Sequence, residues 1–181
     1  HVPAHGWTAE ALAAGARDEG FPSIAHGLFP GGGFALVEHF MRRATERAAK
    51  RLRDEPLAAM TADERVKAGV RFRLEEVAPL VAVWPEAMAL GLLPHNVPNT
   101  AACLLEIVDE VWWAAGDRST DVRWYSRRAL LLFVYSSTEA FMLTDQSPGF
   151  VDTWAFLDRL TASVADFGRN AGELASVQSA L

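Results

Sequence analysis

The residues with the most chemistry to offer lie between Asp109 and Arg128. In helical register Glu106, Asp109, Glu110 and Trp113 share one face through three- and four-residue spacings, while Trp112 follows Leu105 and Val108 into a core. Shortly after, Trp124 and Tyr125 stand with Arg123, Arg127 and Arg128 at the start of a further helix. Arginines at that end oppose the helix macrodipole, so acidic partners are needed to hold them. Exposed Trp, Tyr and Arg side by side are the usual anchors of a protein interface. The other reading puts Trp124 in the core and pairs the arginines with Asp109, Glu110 or Asp121. The residues alone leave both open.

Catalytic chemistry finds less support. A carboxylate-bridged di-iron site in a helix bundle needs Glu-x-x-His pairs, and none of the five histidines has a Glu three residues before it. No zinc-ligand spacing exists either. There is no Gly-x-Ser-x-Gly, phosphate loop or dinucleotide fingerprint. Gly31-Gly32-Gly33 reads as a turn, since no strand precedes it. The chain is expected to be no enzyme and to hold no metal or cofactor of its own. In Pro94-His95-Asn96-Val97-Pro98, His95 and Asn96 have the character of the few polar groups at an apolar cavity mouth. A plain connecting turn is the commoner use of such a segment.

The elements that must position these residues are helical. Thr8 caps a helix over 9–19 stopped by Gly20, and Ser23 a short one over 24–29 stopped by Pro30. Phe34, Val37, Met41, Ala44, Ala48 and Leu52 form the apolar stripe of a helix over 34–53. Thr61 and Glu64 have capping-box spacing and open a helix that Pro79 should kink near its end. Pro85 begins a short helix to Leu93. After an irregular stretch to Pro98, Asn99 or Thr100 caps a helix to Ala115, ended by Gly116-Asp117. Thr120 or Asp121 starts a very apolar helix to about Thr144, and Asp152 caps the last one. The expectation is about eight helices and no sheet.

Composition bounds the functions. Of 181 residues half are hydrophobic and 22% charged, which suits a ligand cavity, an apolar interface or a large core. A net charge of −6 argues against a dedicated nucleic-acid binder. Residues 34–53 hold a local excess of basic side chains, from Arg42 to Arg53. Such a helix suits an anionic surface, although a solvated face opposite the core stripe is the simpler reading. Cys103 is the only cysteine, so no internal disulfide forms and a reducing compartment is expected. The longest apolar run, Ala129 to Tyr135, falls far short of the about 20 residues that span a bilayer. His1-Val2-Pro3 is neither a signal nor a transit peptide, so such a segment is taken as removed or never present.

The first three helices are arranged as a helix-turn-helix. A DNA reader would present Arg, Lys, Asn, Gln or Ser from the third. Here Gly31 to Phe40 holds no Lys or Arg and an acidic Glu38, so no nucleic-acid partner is expected.

His5-Gly6-Trp7-Thr8, Trp84-Pro85, Leu93-Pro94-His95-Asn96-Val97-Pro98 and the run from Trp112 through Ala115-Gly116-Asp117, Ser119-Thr120-Asp121 and Trp124-Tyr125 to Arg127-Arg128 resemble the Coq nine family of ubiquinone biosynthesis proteins. Asp145, Ser147-Pro148 and Asp152-Thr153-Trp154 continue the match. The resemblance implies an all-α, TetR-like domain with a degenerate helix-turn-helix head over 1–53 and a lipid-binding, dimerising body over 54–181. It implies a non-catalytic protein that binds an isoprenoid lipid, a quinone precursor or a phospholipid. That lipid would be presented to the Coq seven di-iron demethoxyubiquinone hydroxylase. The alternative is a TetR-type ligand-responsive repressor. By resemblance the partner surface comprises Asp109, Val111, Asp121, Trp124, Tyr125 and Arg128. Lipid-binding residues are expected among His95, Asn96, Leu131 and Tyr135. A homodimer is expected through 129–143 and 154–167. The expected place is the matrix side of the mitochondrial inner membrane for a eukaryotic member, or the membrane-peripheral cytoplasm for a bacterial one. Family members end in an amphipathic membrane helix; here only Leu174, Val177 and Leu181 form an apolar edge without a basic residue, so membrane attachment is expected to be weakened.

Overall fold

In the computed structural model, residues 1–56, 59–116 and 122–178 are described. Among them are eight α-helices and no strand: α1 Val2–His5, which the sequence reading did not predict, and then, as the helical periodicities predict, α2 Ala9–Asp18, α3 Gly33–Asp54, α4 Ala62–Glu75, α5 Trp84–Gly91, α6 Val97–Ala115, α7 Val122–Met142 and α8 Val151–Gln178. Several ends follow from their caps. The Thr8 hydroxyl accepts from the Ala11 N–H, and Thr61 and Glu64 form the reciprocal capping box. Gly116 ends α6 in the left-handed region, at φ 90°.

Elsewhere the expected boundaries need correcting. Ser23–Leu28 is a 3-10 helix rather than an α-helix; Gly27 lies inside this short stretch between Pro22 and Pro30, and only tighter turns close. Pro79 does not kink α4 but follows its end. Its ring would meet the carbonyl four residues back, at Glu75, where α4 stops, and Ala78–Leu80 forms a separate 3-10 turn. α6 begins at Val97, earlier than an Asn99 or Thr100 cap would allow. Pro98 sits in its first turn, where a missing N–H costs nothing. The Asn96 carbonyl accepts the Thr100 N–H at 2.9 Å while its side chain turns back to donate to the Leu90 carbonyl, also at 2.9 Å. α8 begins at Val151, and Asp152 is not its cap. Ser147 Oγ accepts the Asp152 N–H at 3.0 Å, and Asp145 accepts the N–H of Ser147 and both donors of Thr153. Those hydrogen bonds, from Ser147 first and then Thr153, hold the Asp145 carboxyl down at about 2. The expected cap at Thr120 or Asp121, and the apolar edge formed by the side chains of Leu174, Val177 and Leu181, lie outside the described residues.

The main buried core runs from the first helices into the last, with a smaller cluster of Ala48, Leu52, Phe72 and Ala114 beside it. α3 buries the stripe the sequence marks, Phe34, Val37, Met41, Ala44, Ala48 and Leu52. Trp7 anchors the N-terminal helices to the body. Its indole N–H donates to the Val83 carbonyl at 2.9 Å, and its ring meets Phe40 and Trp84 edge-on, both at 5.7 Å. The chain crosses α3 closely enough that a Cβ on Gly33 would lie 1.9 Å from the Trp7 carbonyl oxygen, so only glycine opens this helix. On the outer face of α3 Arg42, Arg43, Arg47, Lys50, Arg51 and Arg53 each meet a carboxylate: Glu38, Glu46, Glu76, Asp54, Glu75 and Glu110 in turn. The basic stretch is a charge-balanced, solvated face.

Candidate functional site

α6 and α7 position the residues from which the sequence reading began. α6 turns Cys103, Ile107, Val111 and Ala114 into the core. Leu105, two residues from both Cys103 and Ile107, therefore falls on the opposite side and is 52% exposed. It does not enter the core with Trp112, as its spacing from Val108 had suggested. Trp112 itself is half-buried. Its indole N–H donates to the Arg127 carbonyl at 3.3 Å, and the Arg127 guanidinium lies 5.8 Å from its ring centroid. Trp113, next along α6, is exposed.

Of the residues expected on a partner surface, three come together. Arg128 Nε lies 2.6 Å from Asp109 Oδ1, tying the first turns of α7 to α6. Tyr125, one turn before Arg128, is 72% exposed. Val111 is buried against α4, where a Cβ on Gly69 would come within 2.9 Å of both its methyl groups. Asp121 and the side chain of Trp124 lie outside the described residues.

The four residues expected at a lipid do not converge. His95 is exposed at the α5–α6 corner, and buried Asn96 is engaged in holding that corner. Leu131 lines a cavity of about 190 Å³ between α4, α6, α7 and α8, with Val66, Trp112, Leu130, Val134 and Val164. Tyr135 is fully buried deeper in the core, and burial pushes its phenol far above the ordinary value.

A second cavity, of about 160 Å³, lies between α3, α5, α6 and α7, lined by Val37, Met41, Ala87, Met88, Leu104 and Glu139 among others. Glu139 is a residue that the sequence reading passed over. Its Oε1 accepts the Trp84 indole N–H at 3.1 Å and the Tyr135 hydroxyl at 2.9 Å. Burial raises its carboxyl above the usual range, against the Arg73 charge and the two hydrogen bonds, which lower it. Arg73 is buried too, its Nε donating to Thr45 Oγ1 at 3.3 Å and its guanidinium 5.9 Å from the Phe40 ring centroid and 6.0 Å from that of Tyr135. The available signal was a lone carboxylate in a very apolar helix, four residues after a tyrosine. Among the described residues no three His, Cys, Asp or Glu converge to hold a metal ion, and no helix is long and apolar enough to cross a membrane.

The α6–α7 face, both cavities' α7 walls and Glu139 all fall in residues 97–168, which match the COQ9 family profile; residues 1–17 match the N-terminal domain of ubiquinone biosynthesis protein COQ9. The chain is 38% identical to the mitochondrial ubiquinone biosynthesis protein COQ9 of Homo sapiens, over 99% of its own length and 59% of that protein's. It is 42% identical to the Drosophila melanogaster protein of the same name, over 87% of this chain and 49% of that one. It thus spans about half to three-fifths of the length of these relatives. A TetR transcriptional regulator from Nitrosomonas europaea shares the fold, with a TM-score of 0.68, 20% identity and 83% of each chain covered.

Proposed function

The chain belongs to the COQ9 family, and from that premise we propose that it acts in ubiquinone biosynthesis as a non-catalytic carrier of isoprenoid lipid. Its body takes up a polyprenyl quinone precursor, exchanging bilayer for apolar walls. The face of Asp109, Tyr125 and Arg128 then docks the di-iron demethoxyubiquinone hydroxylase, which supplies iron and chemistry. The observation that carries the reading is the pair of apolar cavities in the helical body, of about 190 and 160 Å³, separated by α7. Exposed Tyr125 and Trp113 beside the Asp109–Arg128 pair support the docking role. A homodimer through α7 and α8 fits the exposure of Phe133 and Val151. The relatives' names support a mitochondrial protein, and we place it on the matrix side of the inner membrane, or its bacterial counterpart at the cytoplasmic membrane face.

The repressor reading has less behind it. The likeness to the TetR regulator concerns the fold, and the six basic side chains of α3 named above are all engaged with carboxylates. Native mass spectrometry of the purified protein, followed by organic extraction, tests the carrier. A stoichiometric quinone, isoprenoid or phospholipid is expected. A ligand-free mass that persists after incubation with polyprenyl quinone precursors would overturn it.

A further inference from the structure

We propose that the cavity closed by Glu139 is a binding site for a single six-membered ring carrying an acceptor oxygen, and that the Glu139 carboxyl donates a hydrogen bond to that oxygen. The inference gives the polar end of the ligand that the proposed carrier function leaves unspecified, and it rests on that reading for the natural ligand's tail.

Size comes first. A cavity of about 150 Å³ with apolar walls holds one benzene ring, and this one measures about 160 Å³. Its walls are Val37 and Met41 of α3, Ala87 and Met88 of α5 and Leu104 of α6. Leu92, at the end of α5, also lines it and is 73% exposed, so the cavity reaches the surface past an apolar side chain. A bare hydrocarbon site would need no carboxyl. Isolating one from water is costly unless it is bonded.

The bonding of Glu139 is lopsided. Both donors, Trp84 from α5 and Tyr135 from α7, reach the same oxygen, Oε1. Oε2 accepts from no group among the described residues, and the residue lines the cavity. When the carboxyl is protonated, Oε1, which already accepts two donors, is its carbonyl oxygen and the proton sits on Oε2. Burial favours this neutral form. Arg73 is the nearest cation, and it lies beyond ion-pair distance, its Nε held by Thr45. Of the other polar groups of the wall, the Trp84 N–H is spent on Glu139, the Thr100 hydroxyl donates to the Gly91 carbonyl at 3.0 Å, and Ser136 lies at the exposed rim, where water competes for its hydroxyl. The protonated carboxyl is thus a donor in the wall of a ring-sized apolar slot. A quinone carbonyl or a methoxy oxygen on a ring satisfies it.

The test titrates the full chain by calorimetry with acetophenone and with α-methylstyrene, which has a methylene in place of the carbonyl oxygen. Glu139→Met is expected to weaken acetophenone about tenfold relative to α-methylstyrene, the loss of one hydrogen bond. Glu139→Gln, whose amide N–H can donate from the same position, keeps the wild-type ratio. Ala87→Leu fills the cavity and loses both probes. An unchanged ratio in the methionine variant, a lost preference in the glutamine variant, or both probes still binding Ala87→Leu would each overturn the site. Should the methionine variant not fold, the other two variants still decide. Polyprenyl lipid retained by a protein whose ring preference ignores Glu139 would remove this site and leave the carrier reading standing. A ring preference that depends on Glu139 in a protein retaining no such lipid would uphold the site and remove the carrier.

Discussion

Arg128 reaches across from α7 to place its Nε 2.6 Å from Asp109 Oδ1 on α6, with most of its side chain covered and the carboxylate still half-exposed. A pair so placed adds little to stability, on the order of 1 kcal/mol or less. Its larger consequence is geometric. It fixes the first turns of α7, and with them the direction in which Tyr125 leaves the surface.

Tyr125→Ala should therefore separate binding from folding. The side chain is 72% exposed, so the thermal midpoint stays close to wild type. Affinity for the hydroxylase falls at least about tenfold, as truncation of an interface anchor does. Biolayer interferometry against the purified hydroxylase measures this, and full affinity would remove Tyr125 from the docking face.

Arg128→Gln should behave differently. It loses the bond to Asp109 as well as any contact with a partner, so both the complex and the local order of α7 weaken. Hydrogen exchange at the N-terminal turns of α7 should quicken while lipid content is unchanged. Unaltered exchange together with unaltered affinity would show that the pair positions nothing.

The buried network makes a prediction about pH. The folded-state carboxyl of Glu139 lies above its ordinary value of 4.5, with Arg73 of α4 and Tyr135 of α7 facing it. A raised acid binds its proton more tightly when folded, so its contribution is complete below about 4.5 and declines as pH rises towards the folded value. Glu139→Gln has no proton to lose. Its melting temperature relative to wild type should rise steadily from pH 4.5 upward. A constant difference across that range would mean that Glu139 does not titrate between the two states.

Tyr135→Phe removes one of the two donors to Glu139 without opening a large void. The cost should be about 1 kcal/mol, near that of a single buried hydrogen bond. Leu131→Ala, which truncates a buried side chain at the cavity between α4, α6, α7 and α8, should cost about 2–5 kcal/mol. Urea denaturation gives both values, and a reversed order would contradict the packing described for α7.

Much of this architecture was legible from residues close together in the chain. Thr8, the Thr61–Glu64 box and Gly116 each mark a helix end through bonds that span only a few residues, so spacing alone finds them. The α8 start was not legible in the same way, because Asp145 works across the corner to Thr153 and leaves Asp152 idle as a cap. The pairing of Arg128 with Asp109 was among the partners that the sequence offered for the arginines. The inward turn of Val111 was not, since it depends on Gly69 of α4 leaving room. The Glu139 network was the hardest to foresee. Tyr135 lies four residues before Glu139 on the same helix, but Trp84 is 55 residues away and Arg73 comes from another helix, and only the folded packing brings them together.

The measurement closest to the central claim is turnover of demethoxyubiquinone by the hydroxylase in liposomes, with and without this protein. Faster turnover is expected with the wild-type chain, a gain largely lost with Tyr125→Ala, and no turnover by the chain alone. Turnover that is indifferent to the protein, or carried out by it without the hydroxylase, would contradict the carrier.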